Sequence, residues 1–193
     1  MALAWHVIFT TYGFWLPNDP RGSWSDFVGS WELLRFGGPT KVETHRSLAR
    51  VAHDASLRRA AKAVLRWPAA HLSGRQALAV AHGFAQAAGE GGYRIHACSI
   101  LPDHVHMVVA RHERTAGRLI GHLKGRATQR LAADGLWPPD HRPVWAHGGW
   151  NVFLDTPEDV RRAIAYAEDN PAREGKPSQR WSFVTPFVCQ WPG

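Results

Sequence analysis

The chain has 193 residues, 45% of them hydrophobic, two cysteines and a formal net charge of +7. This length and apolar content suit one domain with a sizeable core, and no run of about 18 uncharged apolar residues is present to cross a membrane. Cys98 and Cys189 lie far apart without a C-x-x-C, which argues against a disulfide framework or a cysteine zinc centre, and with no signal-like amino terminus the chain reads as cytoplasmic.

The first strand is LAWHVIFTTY (3–12), rich in β-branched and aromatic residues. From about 13 to 68 the pattern breaks up. GFWLPNDPRGSWSDFVGSW is dense in Gly, Pro, Trp and Ser, and VETHRSLARVAHDASLRRAAKAVLRW is a basic, partly amphipathic helical stretch. This segment reads as an insertion within a single domain spanning 1–193. LSGRQALAVAHGFAQAAGEGG (72–92) follows, a helix with Ser73 as its cap and glycines as its stop.

YRIHACSI and HVHMVVA flank the short turn LPD and form an antiparallel hairpin. Residues 114–133 place Ala116, Leu119, Ile120, Leu123, Ala127 and Leu131 on one helical stripe, with Arg118, His122, Lys124, Arg126 and Arg130 on the other side. VWAHGGWNVFL (144–154) supplies a further strand with a glycine break. DTPEDVRRAIAYAEDNP closes the series as a helix that Asp155 or Thr156 caps, Pro157 opens and Pro171 follows. Strand, helix, strand, strand, helix, strand, with one more helix, is the order of an α+β ferredoxin-like (RRM-like) sandwich with an antiparallel central sheet.

Two features carry chemistry. Strand alternation sends His104 and His106 to one face and Val105, Met107 and Val109 to the other. On the last helix Tyr166 and Asn170 stand four apart, hence on one face, while Val160, Ala163, Ile164 and Ala167 form the packing stripe. The basic set is mostly arginine and there are ten tryptophans, a composition suited to phosphates and unstacked bases. Read singly, each feature also has an ordinary structural explanation: a packed histidine beside a solvated one, an interfacial tyrosine, an Asn-Pro helix stop.

Jointly, ACSILPDHVHMVVA and AIAYAEDNPAREG resemble the HUH single-strand endonucleases, specifically the single-tyrosine transposases and their relatives associated with repetitive extragenic palindromes. The resemblance extends over the first strand, the hairpin, LKGRATQRL and PVW through NPAREG, and omits roughly 13–68. It departs from the family at Ala167, where a larger aliphatic residue is usual, and in the Trp/Arg-rich insertion.

The resemblance implies an endonuclease and strand transferase acting on hairpin or palindromic single-stranded DNA. In it His104, His106 and the side-chain oxygen of Asn170 would hold one divalent ion, Mg²⁺ or Mn²⁺, and Tyr166 would form a covalent 5′-phosphotyrosine. Lys124, beside Gly121 and Gly125, is a candidate DNA contact together with Arg126 and with Arg162, one turn before Tyr166. The family includes dimers and monomers, so a homodimer is allowed without being required. Two alternatives stay open: a histidine-triad hydrolase, which Val108 disfavours by standing where a third alternating histidine is needed, and a non-catalytic single-strand binder of ferredoxin-like fold.

Overall fold

A computed structural model describes residues 2–43, 48 and 51–188. Contacts divide the chain into two compact units, Met1–Thr11 with His71–Gly193, and Tyr12–Ala70.

The larger unit is built on four strands, β1 (Ala4–Thr10), β2 (Ile95–Ile100), β3 (His104–Ala110) and β4 (Trp150–Leu154). Their order is β2-β3-β1-β4 and every pairing is antiparallel. With α3 (Gly74–Gly91) between β1 and β2 and α4 (Ala116–Ala133) between β3 and β4, this is the ferredoxin-like β-α-β-β-α-β arrangement. The expected strand over 144–154 is shorter than its hydrophobic run. The chain bridges to Thr11 at Trp145, turns through Gly148 at φ +67°, and enters the sheet at Trp150.

Helix ends follow local chemistry. Ser73 and Gln76 form a capping box at the start of α3, and Gly92 ends it in the left-handed region. Thr115 caps α4. The helices α3 and α4 pack very closely: a Cβ on Gly83 would sit 2.5 Å from the Ala127 Cα, so only glycine permits the contact. Their apolar stripes cover one sheet face, burying Phe84, Leu119, Leu123 and Leu131 against Val7, Phe9, Val105 and Met107.

The other face is covered by α5 (Pro157–Arg173), capped by Thr156 with Asp159. Val160, Ala163 and Ala167 pack there against Ala4, Ala97, Val108 and Leu154. Pro171 does not follow this helix, as its sequence suggested, but lies buried inside it. Inside a helix a proline typically costs about 3 kcal/mol, through its missing N–H and its ring against the carbonyl one turn back, and the packing that buries Pro171 carries the helix on to Arg173. The carboxy-terminal segment then shields the β2 edge: the Gln179 amide bonds the Ile100 N–H and carbonyl, and the Thr185 N–H donates to Ile95 O. Cys98 is a buried free thiol whose pKa burial pushes up; Cys189 lies outside the described residues.

The smaller unit contains α1 (Trp31–Leu34) and α2 (Ala55–Ala63) and a core of Leu16, Val28, Leu33 and Ala61. Among the described residues of the long basic stretch expected to be helical, helix forms over α2, where Asp54 accepts from the N–H groups of Ser56 and Leu57 and so starts it. Residues 44–47, 49 and 50 of that stretch lie outside the described residues. Arg21 makes a buried bidentate pair with Asp19 at 2.7 Å and stacks over Trp15 at 3.8 Å.

Candidate active site on the helix-covered face of the sheet

The alternation of β3 turns His104 and His106 toward α5, and the structure adds a third imidazole. Ile8 of β1 pairs with His106, which places His6 diagonally next to it on the same face. Nε2 of His6 lies 3.1 Å from Nδ1 of His106. Tyr166 comes down from α5 onto this group, its ring centroid 5.3 Å from that of His106 and 5.9 Å from that of His6. The His104 and His106 rings are 5.0 Å apart and nearly perpendicular.

Electrostatics keep the inner rings neutral. Burial, with smaller contributions from His104 and His6, presses the His106 pKa down to about 2, and burial lowers His6 to about 4. Two neutral imidazoles sharing a hydrogen bond must divide roles, one donating and one accepting. His104 has a carboxylate at each end: Nδ1 is 2.7 Å from Asp103 Oδ1 and Nε2 is 3.8 Å from Glu174 Oε1. The two carboxylates fix the orientation of the ring.

Asn170 is one turn beyond Tyr166 on α5 and is 6% exposed. Its amide nitrogen is buried without a hydrogen-bond partner, as is the hydroxyl of Ser99, which pairs across the sheet from His106. Orphaned polar atoms are expensive in a packed interior and are found where a ligand or water completes them. Among the described residues no group of three or more His, Cys, Asp or Glu side chains is gathered as for a metal ion. The donors near Tyr166 are instead imidazoles and an amide.

The structure thus brings His104, His106 and Tyr166 together, with Asn170 one turn away. It separates them from Lys124 and Arg126, which belong to α4 on the other side of the sheet. The Lys124 ammonium donates to the carbonyls of Ala146, at 2.8 Å, and Gly148, so it straps α4 to the segment before β4. Arg126 is held by Glu90 at 2.7 Å and by Gln129. Arg162 pairs with Asp159 at the exposed start of α5.

Two residues escaped the sequence reading. His6 was legible as the polar member of an alternating strand, on the side opposite Trp5, Val7 and Phe9. Arg173 lies with its guanidinium carbon 4.9 Å from the Tyr166 ring centroid, a cation over the phenol. Its signal was the spacing of seven, two helical turns, which is read as one face only if the helix passes through Pro171. Of the exposed aromatics that the composition suggested, Trp31, 86% exposed, and Phe27, 73% exposed, lie in the smaller unit, and Phe153, 62% exposed, lies on β4.

No protein-family model and no curated protein sequence matches the chain. Among solved structures it is similar to a REP-associated tyrosine transposase bound to a REP hairpin, with 14% identity and a TM-score of 0.48 over 90% of this chain and 69% of that one. It is also similar to a protein from Deinococcus radiodurans R1 that carries the name of a transposase, with 14% identity and a TM-score of 0.40 over 88% of this chain and 91% of that one. At this identity neither likeness assigns chemistry to a residue.

Proposed function

We propose that the chain is a metal-dependent single-stranded DNA endonuclease and strand transferase of transposase type, acting at hairpin or palindromic DNA through a covalent 5′-phosphotyrosine. The observation that supports this reading is the half-buried Tyr166, its ring against His106 and beneath Arg173, on a sheet face that also holds His6 and His104. A merely structural tyrosine has no need of three imidazoles. In the proposed step the phenol oxygen bonds to phosphorus and the 3′ oxygen departs, taking a proton to become a hydroxyl. The phenol's proton passes to solvent. Because the new phosphodiester retains the energy of the old one, the step is reversible and needs no nucleotide cofactor.

His104, His106 and the side-chain oxygen of Asn170 would hold one Mg²⁺ or Mn²⁺. The residues fit such an ion: His106 is kept neutral, His104 is oriented by Asp103, and Asn170 is buried one turn beyond Tyr166. Two nitrogens and one oxygen without sulfur suit Mn²⁺ better than Mg²⁺. A bound ion would draw charge from the non-bridging phosphate oxygens. The chain's own residues do the rest: Arg173, over the Tyr166 ring, would offset charge on the phosphate that Tyr166 attacks, and α5 holds the nucleophile in place. A ferredoxin-like binder without chemistry would need an open sheet face, whereas helices lie against both faces here.

The test is a hairpin-bearing single strand, labelled and incubated with the protein in Mn²⁺, then run on a denaturing gel. Wild type is expected to carry a protein-linked 5′ end, Tyr166→Phe to carry none, and Asn170→Ala to lose cleavage far more than stability. An adduct on Tyr166→Phe, or none on wild type with intact metal binding, overturns the reading.

A further inference from the structure

Between β2 and α5 two buried polar atoms lack a hydrogen-bond partner, the hydroxyl of Ser99 and the amide nitrogen of Asn170. Their residues are 1% and 6% exposed, so bulk solvent does not satisfy them. β2 is buried along its whole length, and an alanine at its fifth position would fill the same place with no hydroxyl to satisfy. A serine there needs a reason.

Strand register and helix advance bring the two residues to one level. Ala97 and Val108 are paired, and both belong to the apolar contact with Ala163 and Ala167 of α5. Two residues further along each strand, Ser99 and His106 are paired on that same face. The helix runs in the matching direction. Asn170 follows Ala167 by about one turn, and one turn later Glu174 reaches within 3.8 Å of His104. Asn170 therefore lies between the level of Val108 and that of His104, which is the level of His106 and of Ser99. Alanines make the contact from both sides, Ala97 below and Ala163 and Ala167 above, so little separates helix from strand.

We infer that Ser99 is a positioning residue for Asn170: one buried water accepts from the Asn170 amide nitrogen and donates to the Ser99 hydroxyl oxygen, leaving the amide oxygen to face His104 and His106. A carboxamide offers an oxygen at one side of its tip and two N–H donors at the other, and only the oxygen can meet a cation. A hydroxyl can serve either side. An ion at the histidines would repel the N–H groups, so the nitrogen falls to Ser99, and a water held by two such groups satisfies both. The consequence for metal binding rests on the function proposed above, whereas the link between Ser99 and Asn170 does not.

The first measurement is solvent exchange of the Asn170 side-chain amide in the nitrogen-proton correlation spectrum of the metal-free chain, the signal being identified by its loss in Asn170→Asp. Exchange is expected to quicken severalfold in Ser99→Ala and to stay near wild type in Ser99→Thr, which keeps the hydroxyl. The second is calorimetry with Mn²⁺. Ser99→Ala should weaken binding by about 10–100-fold, as loss of a group behind a ligand typically does, and Ser99→Thr should recover most of it. Added to Asn170→Ala, Ser99→Ala should weaken binding little further, because it acts through the amide that is already gone. Circular dichroism should show every variant folded. Unchanged amide exchange in Ser99→Ala overturns the inference, as does a full further loss of affinity in the Asn170→Ala background or wild-type affinity in Ser99→Ala. Failure of the wild type to bind Mn²⁺ would overturn the metal reading instead, and amide exchange would then still decide whether Ser99 holds Asn170.

Discussion

The same strands of the larger unit build two unlike faces. Toward α3 and α4, β1 and β3 present Trp5, Val7, Phe9, Val105, Met107 and Val109, all buried, in one continuous apolar cluster. Toward α5 the intervening positions include Ala4, His6, Ile8, His104, His106 and Val108, and the apolar cluster there is small. One face is packed with aromatic edges meeting, the Phe9 ring centroid lying 5.9 Å from that of Phe84 and 5.4 Å from that of Trp145. The other holds rings forced neutral beside the unpartnered Asn170 amide nitrogen and Ser99 hydroxyl, whereas the unpartnered atoms beside the first cluster are the indole nitrogens of Trp145 and Trp181. A domain with one well-filled face can carry unsatisfied groups on the second, and such groups are the ones free to meet a ligand.

Removing the packing should cost stability and spare the chemistry. Phe84 is fully buried between the Phe9 and Trp145 rings, so Phe84→Ala is expected to lower unfolding free energy by about 3–5 kcal/mol. Urea denaturation measures it. At low temperature, where the variant is still folded, adduct formation per folded molecule should match wild type. A cost below about 1 kcal/mol would mean that the dry face is not where stability resides.

The converse change lies at His6. Its nitrogen 3.1 Å from His106 Nδ1 fixes that ring's orientation, as partners behind ligating histidines do. His6→Ala is expected to weaken Mn²⁺ binding and cleavage by about 10–100-fold. Stability should drop by no more than about 1–3 kcal/mol, the cost of one orphaned ring nitrogen. Calorimetry with Mn²⁺ reads the first effect independently of catalysis, and His6→Gln should recover part of it. Unaltered metal affinity in His6→Ala would make His6 packing and nothing more.

The dry face was legible because it is periodic. Alternation in HVHMVV and the 3.6-residue stripe of α4 name the residues that β3 and α4 bury there. His104, His106 and Tyr166 were legible as one site through motif and order, since the histidines share a strand face and the phenol lies off the packing stripe. What the sequence could not give was pairing. His6 enters the site only through the β1–β3 register, a contact between residues a hundred positions apart. Arg173 depends on tertiary packing that carries a helix through Pro171 against the local preference. The direction of Lys124 was hidden for a third reason: a long side chain beside two glycines can turn either way, and here backbone carbonyls drew it inward.

That inward turn makes the smallest prediction. Lys124 reaches past the Phe9 ring, 5.2 Å from its centroid, to the carbonyls of Ala146 and Gly148. Burial, offset only in part by those acceptors, lowers its pKa from 10.5 to about 8. Between about pH 8 and 10.5 the folded chain has therefore released a proton that the unfolded chain still holds. Stability must then rise with pH across that window, by the linkage of proton binding to folding. Lys124→Met keeps the stem against Phe9 and removes the charge, so its stability should be flatter over the same interval. The measurement is urea denaturation of both proteins at several pH values between 8 and 10.5. Parallel curves would place the ammonium in water and return Lys124 to the outer, cationic side of α4.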